Sequence, residues 1–468
     1  MDAELMTAWN GLRVCVAGAG LSGRAAARVL AARGAHVALV DARDDEALRA
    51  EAALPGVTTR LGDGDTLPPE TDLVVTSPGW RPTAPLLETA AKAGVEVIGE
   101  VELAWRLRGP DAPPWLAITG TDGKTTVVRM LAQMLEAAGH RTIAVGNVGT
   151  PIVEVVAGAD GAGPEPYDVL AVELSSFQLH WSSSIRPLAA TVLNVAPDHI
   201  DWHGSLEEYA AAKGKIFGPG TLAVVNADDE WSVRLGERAE RSVGFTLGVP
   251  SPGRLGVVED LLVDRAFTAD PVREAAELAE LSDVRPFAPH NVANALAAAA
   301  LARAYGVPPE AVGEGLRRFR PDPHRIEHIA TVDDVDYVND SKATNPHAAA
   351  ASLAAFRSIV WIAGGLLKGA DVDELVRSCA ERLRGVVLMG AERGRIAEAL
   401  ARHAPDVPVV DVADTDTGAM DRIVTAAAGL ARPGDTVLLA PVGASFDMFA
   451  NYPARGEAFA AAVRRLPN

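Results

Sequence analysis

Short apolar runs recur along the chain, each closed by glycine, proline or polar residues and most followed by a stretch with helical spacing. They predict strands over residues 12–18 (LRVCVAG), His36–Val40, Asp72–Thr76, Val95–Ile98, Leu116–Ile118, Thr142–Val145, Val169–Glu173, Thr191–Val195 and Leu222–Asn226. A later group follows over Val335–Asn339, Ile359–Ala363, Val386–Met389, Val409–Val412 and Thr436–Leu439. Helices are predicted over Ser22–Gly34, from Thr125 through Leu135, over Val292–Tyr305, after Pro346 and from about Phe446. Strands alternating with helices imply parallel sheets, whose ligands gather at the C-terminal strand ends. Residues 246–287 lack that rhythm and read as short strands. Two polar, proline-rich stretches, RGPDAPP at 108–114 and RRFRPDP at 317–323, read as linkers. The 468 residues then divide at 1–112, 113–321 and 322–468. The expected fold class is α/β in three domains: Rossmann-like, a central P-loop-type ATPase sheet, and again Rossmann-like.

Chemistry concentrates where strands end. After Ile118 the chain runs Thr119-Gly120-Thr121-Asp122-Gly123-Lys124-Thr125-Thr126 into a helix. Glycines there let backbone N–H groups turn to phosphate oxygens, the helix N-terminus adds partial positive charge, Lys124 neutralises terminal phosphates, and the Thr125 hydroxyl suits Mg²⁺. Ile118 stands where the strict pattern needs its first glycine, so the loop is a shortened one. Glu173 closes an apolar strand and suits the same cation. His199 follows another strand, as a ligand or as a locally hydrogen-bonded residue. Gly18, Gly20 and Gly23 form G-x-G-x-x-G, with Asp41 about 20 residues on, a nucleotide fingerprint that does not say which nucleotide. Ser205 and Glu208 predict a capping box on a helix whose Lys213 and Lys215 read from composition as surface lysines. Gly158–Pro166 reads as a flexible loop.

Composition narrows the class. A net charge of −19 argues against nucleic acid and anionic membranes as partners. Two cysteines, Cys15 and Cys379, each in apolar surroundings, read as buried thiols in a reducing compartment. The start MDAELMTAWN is not a signal peptide, and no run of about 18 apolar residues occurs, so a cytoplasmic enzyme is expected.

The phosphate loop, Glu173-Leu174-Ser175-Ser176-Phe177-Gln178, Asp198-His199, His290-Asn291-Val292-Ala293-Asn294, His324-Arg325 and Asn339–Asn345 together resemble the Mur ligases, ATP-dependent amide ligases of peptidoglycan stem-peptide synthesis. The C-terminal Ala444–Phe449, Asn451-Tyr452 and Arg455-Gly456 are similar to the D-glutamate-adding branch. That resemblance implies UDP-N-acetylmuramoyl-L-alanine and D-glutamate as substrates, ATP and two Mg²⁺ ions as cofactors, and an acyl-phosphate route. A monomer is expected, and ligands drawn from both the second and third domains predict domain closure on ATP. The resemblance re-reads the first fingerprint as a UDP site formed by Gly18, Gly20, Leu21, Ser22, Gly23, Asp41, Arg43, Ser77, Pro78 and Gly79, with Asn147 and Ser175 further along the substrate. Lys124, Glu173, His199, Lys213 and Asn147 become the catalytic set. One metal falls to Thr125 and Glu173, the other to His199 and Lys213 as a carbamate. ATP falls to Gly120, Thr121, Asp122, Gly123, Lys124, Thr125, Thr126, Asn291, Asn294, Arg325 and Asp340. D-Glutamate falls to His324, Lys342, Thr344, Lys368, Ser445, Phe446 and Tyr452. Asp122 replaces an expected Asn, Val442-Gly443 replaces an expected Ala-Cys, and Trp80 alters the uridine wall. A folylpolyglutamate-type ligase lacks the N-terminal fingerprint domain. A dehydrogenase leaves Lys124, Glu173 and Lys213 unexplained, and a nucleotide switch would bind ATP without turnover.

Overall fold

The computed structural model describes residues 9–158, 167–321, 323–414, 416 and 418–466. Among these residues three sheets are formed. In the first, β1 (Arg13–Ala17), β2 (His36–Asp41), β3 (Val57–Leu61), β4 (Leu73–Thr76) and β5 (Glu96–Gly99) lie parallel in the order β3-β2-β1-β4-β5. The order reverses between β1 and β4, the place where such sheets open a ligand crevice.

The second sheet holds β6 (Trp115–Thr119), β7 (Thr142–Gly146), β8 (Val169–Glu173), β9 (Ala189–Val192), β10 (Leu222–Asn226), β11 (Arg241–Phe245), β12 (Arg254–Val258), β13 (Leu261–Asp264) and β14 (Ala276–Glu280), ordered β14-β13-β12-β11-β10-β9-β6-β8-β7. Pairing is parallel from β7 across to β12 and antiparallel through β13 and β14. β6, β8 and β9 are buried along their whole length, as parallel strands covered on both faces must be. The third sheet, β15 (Glu327–Val332), β16 (Val335–Asn339), β17 (Ile359–Gly364), β18 (Leu383–Met389), β19 (Val409–Asp411) and β20 (Thr436–Val442), has the order β15-β16-β20-β17-β18-β19. Only β15 runs antiparallel to its neighbour.

The chain forms two compact units, one from the described residues of Met1–Asp283 and Ala293–Phe319, the other from Val284–Val292 and the described residues of Arg320–Asn468. In the first unit one apolar core runs through both sheets, from Val16 and Leu30 through Ile98 and Leu103 to Ile152, Val172 and Leu179. The second unit has cores of its own on the two faces of its sheet, around Trp361 and Leu388 and around Ile362 and Phe459.

Several boundaries differ from the sequence reading. β9 covers Ala189–Val192 rather than Thr191–Val195, because Asn194 leaves the ladder to bond the phosphate loop. Arg317 and Arg318 are not linker: they end helix Pro309–Arg318, paired with Glu314 and Asp283. The last helix begins at Tyr452, not near Phe446, since Asn451 caps it through the Ala454 N–H and Pro453 fits its first turn. Ser205 accepts from the Glu208 N–H, but the reciprocal half of the expected box is absent from the hydrogen bonds of that cap, leaving a simple N-cap. Residues 1–8, 159–166 and 322, on which the leader, flexible-loop and third-domain readings partly rest, lie outside the described residues.

Candidate active site

β6 delivers the phosphate loop to the C-terminal edge of the second sheet, and helix Lys124–Ala137 leads away from it. Gly123 caps that helix at φ 84°, a left-handed conformation that glycine adopts without strain. A side chain there would also reach Asn294, whose Oδ1 would lie 2.5 Å from the added carbon. Asn194 Oδ1 accepts the N–H groups of both Thr121 and Asp122 at 3.0 Å. Thr121 Oγ1 bonds Ala196 and the Tyr209 hydroxyl. Lys124 Nζ folds back onto the carbonyls of Gly120 (2.9 Å) and Thr121 (2.7 Å). Neither Asn194 nor Tyr209 belongs to a motif in the sequence, yet both hold the loop. The signal is an asparagine just past an apolar strand, a half-buried amide that needs partners.

Glu173 ends β8, in register with Gly146 of β7 and Ile118 of β6. It is buried. Asn147 donates to Glu173 Oε1 at 2.8 Å, whereas Oε2 has no hydrogen-bond partner among the described residues. A buried, half-satisfied carboxylate is costly unless a cation or donor completes it. Lys213 is also buried rather than on the surface, with Nζ 2.7 Å from the Gly120 carbonyl and 4.4 Å from the Tyr209 ring centre. Burial first, and then the charge of Lys124, hold its amine well below lysine's ordinary range. His199 caps the short helix Ile200–His203 in a left-handed conformation (φ 53°), its ring 4.8 Å from Phe177. Burial keeps its pKa below the ordinary imidazole value, against the pull of Asp198. Ser175 is taken up by a capping box with Gln178. The lysine that does stay exposed is Lys215, which donates to the His180 carbonyl.

At the first sheet's reversal point, Gly18 stands at φ 102° and a carbon added at Gly23 would run into the Gly18 carbonyl. Asp41 Oδ2 accepts from the Ala19 N–H at 2.8 Å, and both its oxygens accept from Arg43. Burial would raise the Asp41 pKa, but the Arg43 and Ala19 hydrogen bonds outweigh it and hold the carboxyl low. Ser77 Oγ donates to the Gly18 carbonyl at 3.2 Å, and Trp80 lies beside it. Gly20 caps helix Leu21–Ala32 without a side-chain hydrogen bond, and Leu21 is 60% exposed. A helix N-terminus with no side-chain cap suits a diphosphate.

In the second unit His324 (φ 65°) is buried with Nδ1 2.8 Å from Asn339 Nδ2. Lys342 Nζ lies 3.3 Å from the Tyr452 hydroxyl, and the His324 carbonyl accepts from the Lys342 N–H. In the sequence Arg455 stands out only as part of a motif. Its buried guanidinium binds Ser341 and the Gly443 carbonyl, which ties helix Tyr452–Val463 to the loop holding Lys342 and Thr344. Asp340 accepts from Ser352 and from the Ile326 N–H. Asn291 Nδ2 donates to the Pro286 carbonyl, and Arg325 is half-buried just before β15. Ser445 is buried beside Phe446, which is 68% exposed in a turn, and Lys368 is exposed at φ 52°.

Cys15 and Cys379 are both buried free thiols, pushed by burial up to about 12 and about 11. Among the described residues no helix is long and apolar enough to cross a membrane. Nor does any group of three or more His, Cys, Asp or Glu residues among them form a metal cage.

Residues 118–302 match the Mur ligase middle domain, residues 324–443 the glutamate ligase domain of Mur ligases, and residues 12–99 the MurD-like N-terminal domain of Mur ligases. The chain belongs to the Mur ligase family. It is 64% identical to the UDP-N-acetylmuramoylalanine--D-glutamate ligase of Thermobifida fusca, over 98% of this chain and 99% of that one. It is 62% identical to the enzyme of that name from Streptomyces avermitilis, over 98% and 100% of the two chains. Among solved Mur ligases, MurF from Acinetobacter baumannii shares the fold at a TM-score of 0.61 and 18% identity, with 98% of each chain covered. MurF from Thermotoga maritima, solved in complex with ADP, shares it at 0.59 and 16% identity, covering 99% and 100%. As a Mur ligase the protein is an ATP-dependent ligase of peptidoglycan synthesis.

Proposed function

We propose that this protein joins D-glutamate to UDP-N-acetylmuramoyl-L-alanine in the cytoplasmic stage of peptidoglycan synthesis. The structural observation that carries the chemistry is the convergence of the Gly120–Lys124 loop, half-satisfied Glu173 and buried Lys213 at one sheet edge. The residues there fit divalent cations: Glu173 leaves one buried oxygen open, and Mg²⁺ takes hydroxyl, phosphate and water oxygens beside one or two carboxylates. Thr125 and Glu173 would hold one ion. His199 and Lys213 would hold the second once the neutral amine has added CO₂ and lost a proton to become a carbamate. Bound there, the ions supply charge neutralisation for phosphoryl transfer.

The chain's own part is positioning. Loop N–H groups and Lys124 grip the ATP phosphates, which requires Lys124 to exchange its two loop carbonyls for phosphate oxygens. The γ-phosphoryl passes to the alanyl carboxylate, giving an acyl phosphate, and the amine of D-glutamate displaces phosphate from it. The N-terminal glycine loop, Asp41 and Arg43 would hold the UDP moiety. Lys342, Thr344, Lys368, His324 and Ser445, walled by Phe446 and Tyr452, would meet the two carboxylates of D-glutamate. Phosphate release from ATP, measured with the UDP-sugar and each of D-glutamate, L-glutamate, meso-diaminopimelate and L-lysine, tests this. Turnover with D-glutamate alone is expected, and turnover with another acceptor overturns the assignment of the second unit.

A further inference from the structure

The segment 147–154 is held from three sides. At its start, Asn147 donates twice to Glu173, from Nδ2 to Oε1 and from its backbone N–H to the carbonyl, both at 2.8 Å. Near its end, the Val153 N–H donates to Glu100 Oε1 at 2.7 Å, and the Ile152 amide engages the same carboxylate. The next residue, Glu154, accepts from Arg28 Nη1 at 2.6 Å. Between these anchors Gly149 turns at φ 65° and Pro151 caps helix Ile152–Ala157, so little slack separates them.

The anchors belong to the first sheet's helices. Glu100 opens helix Glu100–Leu107, and Arg28 lies on helix Leu21–Ala32, which begins at the glycine loop. Glu100 is 2% exposed, a position where apolar packing alone would favour an uncharged side chain. Burial, helped by the nearby Glu154 charge, pushes its carboxyl up to about 7 against the pull of the two amides. Glu102, two residues on, makes the contrast. It is satisfied by Ser183, Ser184 and Arg106 and reaches no residue of the site.

We propose that Glu100 and the Arg28–Glu154 pair are positioning residues: they fix segment 147–154, hold Asn147 on Glu173, and so couple the Gly18–Gly23 loop to the phosphate-loop edge. The identity of the ligands rests on the ligase reading above. The coupling does not, because it can be read from binding alone.

The test uses the full-length chain and the variants E100A, E100Q, R28A, E154Q, N147A and E100A/N147A. Steady-state rates are taken across a Mg²⁺ titration, and ADP binding is measured by calorimetry with and without UDP-N-acetylmuramoyl-L-alanine. E100A should lower kcat about tenfold and raise the Mg²⁺ needed for half-maximal rate, leaving the KM for D-glutamate unchanged. E100Q, which keeps the acceptor for the Val153 N–H, should restore both. In the N147A background E100A should add nothing further. R28A and E154Q, which alter a partly exposed pair and spare the core, should shrink the effect of the UDP-sugar on ADP affinity. Multiplicative effects of E100A and N147A, equal losses in E100A and E100Q, or undiminished or absent ligand coupling would each overturn the proposal. If E100A fails to fold, R28A and E154Q decide it. A wild-type chain that shows the coupling without D-glutamate turnover supports the proposal and sinks the ligase reading instead.

Discussion

Lys213 shows how far a single residue can lie from its reading in sequence. The helix Leu206–Gly214 has no clear apolar stripe, so nothing in LEEYAAAKG marks the lysine as buried; its role came only through family resemblance. In the fold its amine sits against the Gly120 carbonyl in a place where burial disfavours the ammonium form. An amine whose ammonium form is disfavoured adds CO₂ more readily than a surface lysine. Incubation with ¹³C-bicarbonate should therefore give a carbamate signal by NMR that K213R lacks, and K213A should lose at least about a hundredfold in kcat. An absent signal with full activity would exclude the carbamate. Gly456 is a second residue whose importance needed the structure. A carbon added there would come 2.7 Å from His324 Cγ, in a buried ring held by Asn339. G456A should cost about 1–3 kcal/mol of stability in urea unfolding and raise the KM for D-glutamate without a matching fall in kcat. An unchanged KM would remove His324 from the acceptor site.

At the scale of elements, helix Glu100–Leu107 carries a pH signature. The folded-state pKa of Glu100 is raised from 4.5 to about 7. Below about pH 4.5 folded and unfolded chains are both protonated at this group, and it costs nothing. Between about 4.5 and 7 the unfolded chain ionises first, so stability falls by roughly 3 kcal/mol at most and stays lower above 7. The difference in urea midpoint between E100Q and wild type should therefore grow in favour of E100Q across that window. A flat difference curve would mean Glu100 is not held in this environment. Local signals made many elements legible: Val169–Glu173, Leu222–Asn226 and Val335–Asn339 coincide with their strands, and Pro346 opens its helix. The phosphate loop was readable because strand, glycines, lysine and helix are all contiguous. What escaped depends on partners distant in sequence: Glu100 on Val153, Asn194 on Thr121, Arg455 on Ser341. The start of the last helix was misplaced because Phe446–Phe449 has the composition of a helix, whereas the cap that decides it sits at Asn451.

For the whole molecule, the sheets and the cooperative units need not coincide. The stretch 108–114 reads as a linker and is coil, yet the core of the first unit crosses it: Val101, Leu103 and Ala104 pack with Ile152, Val153 and Val156. Two buried carboxylates and the Arg28–Glu154 pair add polar ties across the same boundary. Sheets that share one apolar core should lose it together, because exposing half of the core removes the packing of the other half. The second unit has separate cores. Differential scanning calorimetry should therefore resolve two transitions rather than three. A ligand that binds only the folded form stabilises its own unit, by about 2.7 kcal/mol at a hundred times its Kd. UDP-N-acetylmuramoyl-L-alanine should raise one transition and D-glutamate the other, each by a few degrees. E100A with R28A should lower the first transition without splitting it, since the shared apolar core and the Glu102 tie to Ser183 and Ser184 remain. Three transitions in the wild type would show that the first unit is not a single cooperative body, and a single one that both ligands move equally would show that the two units unfold together.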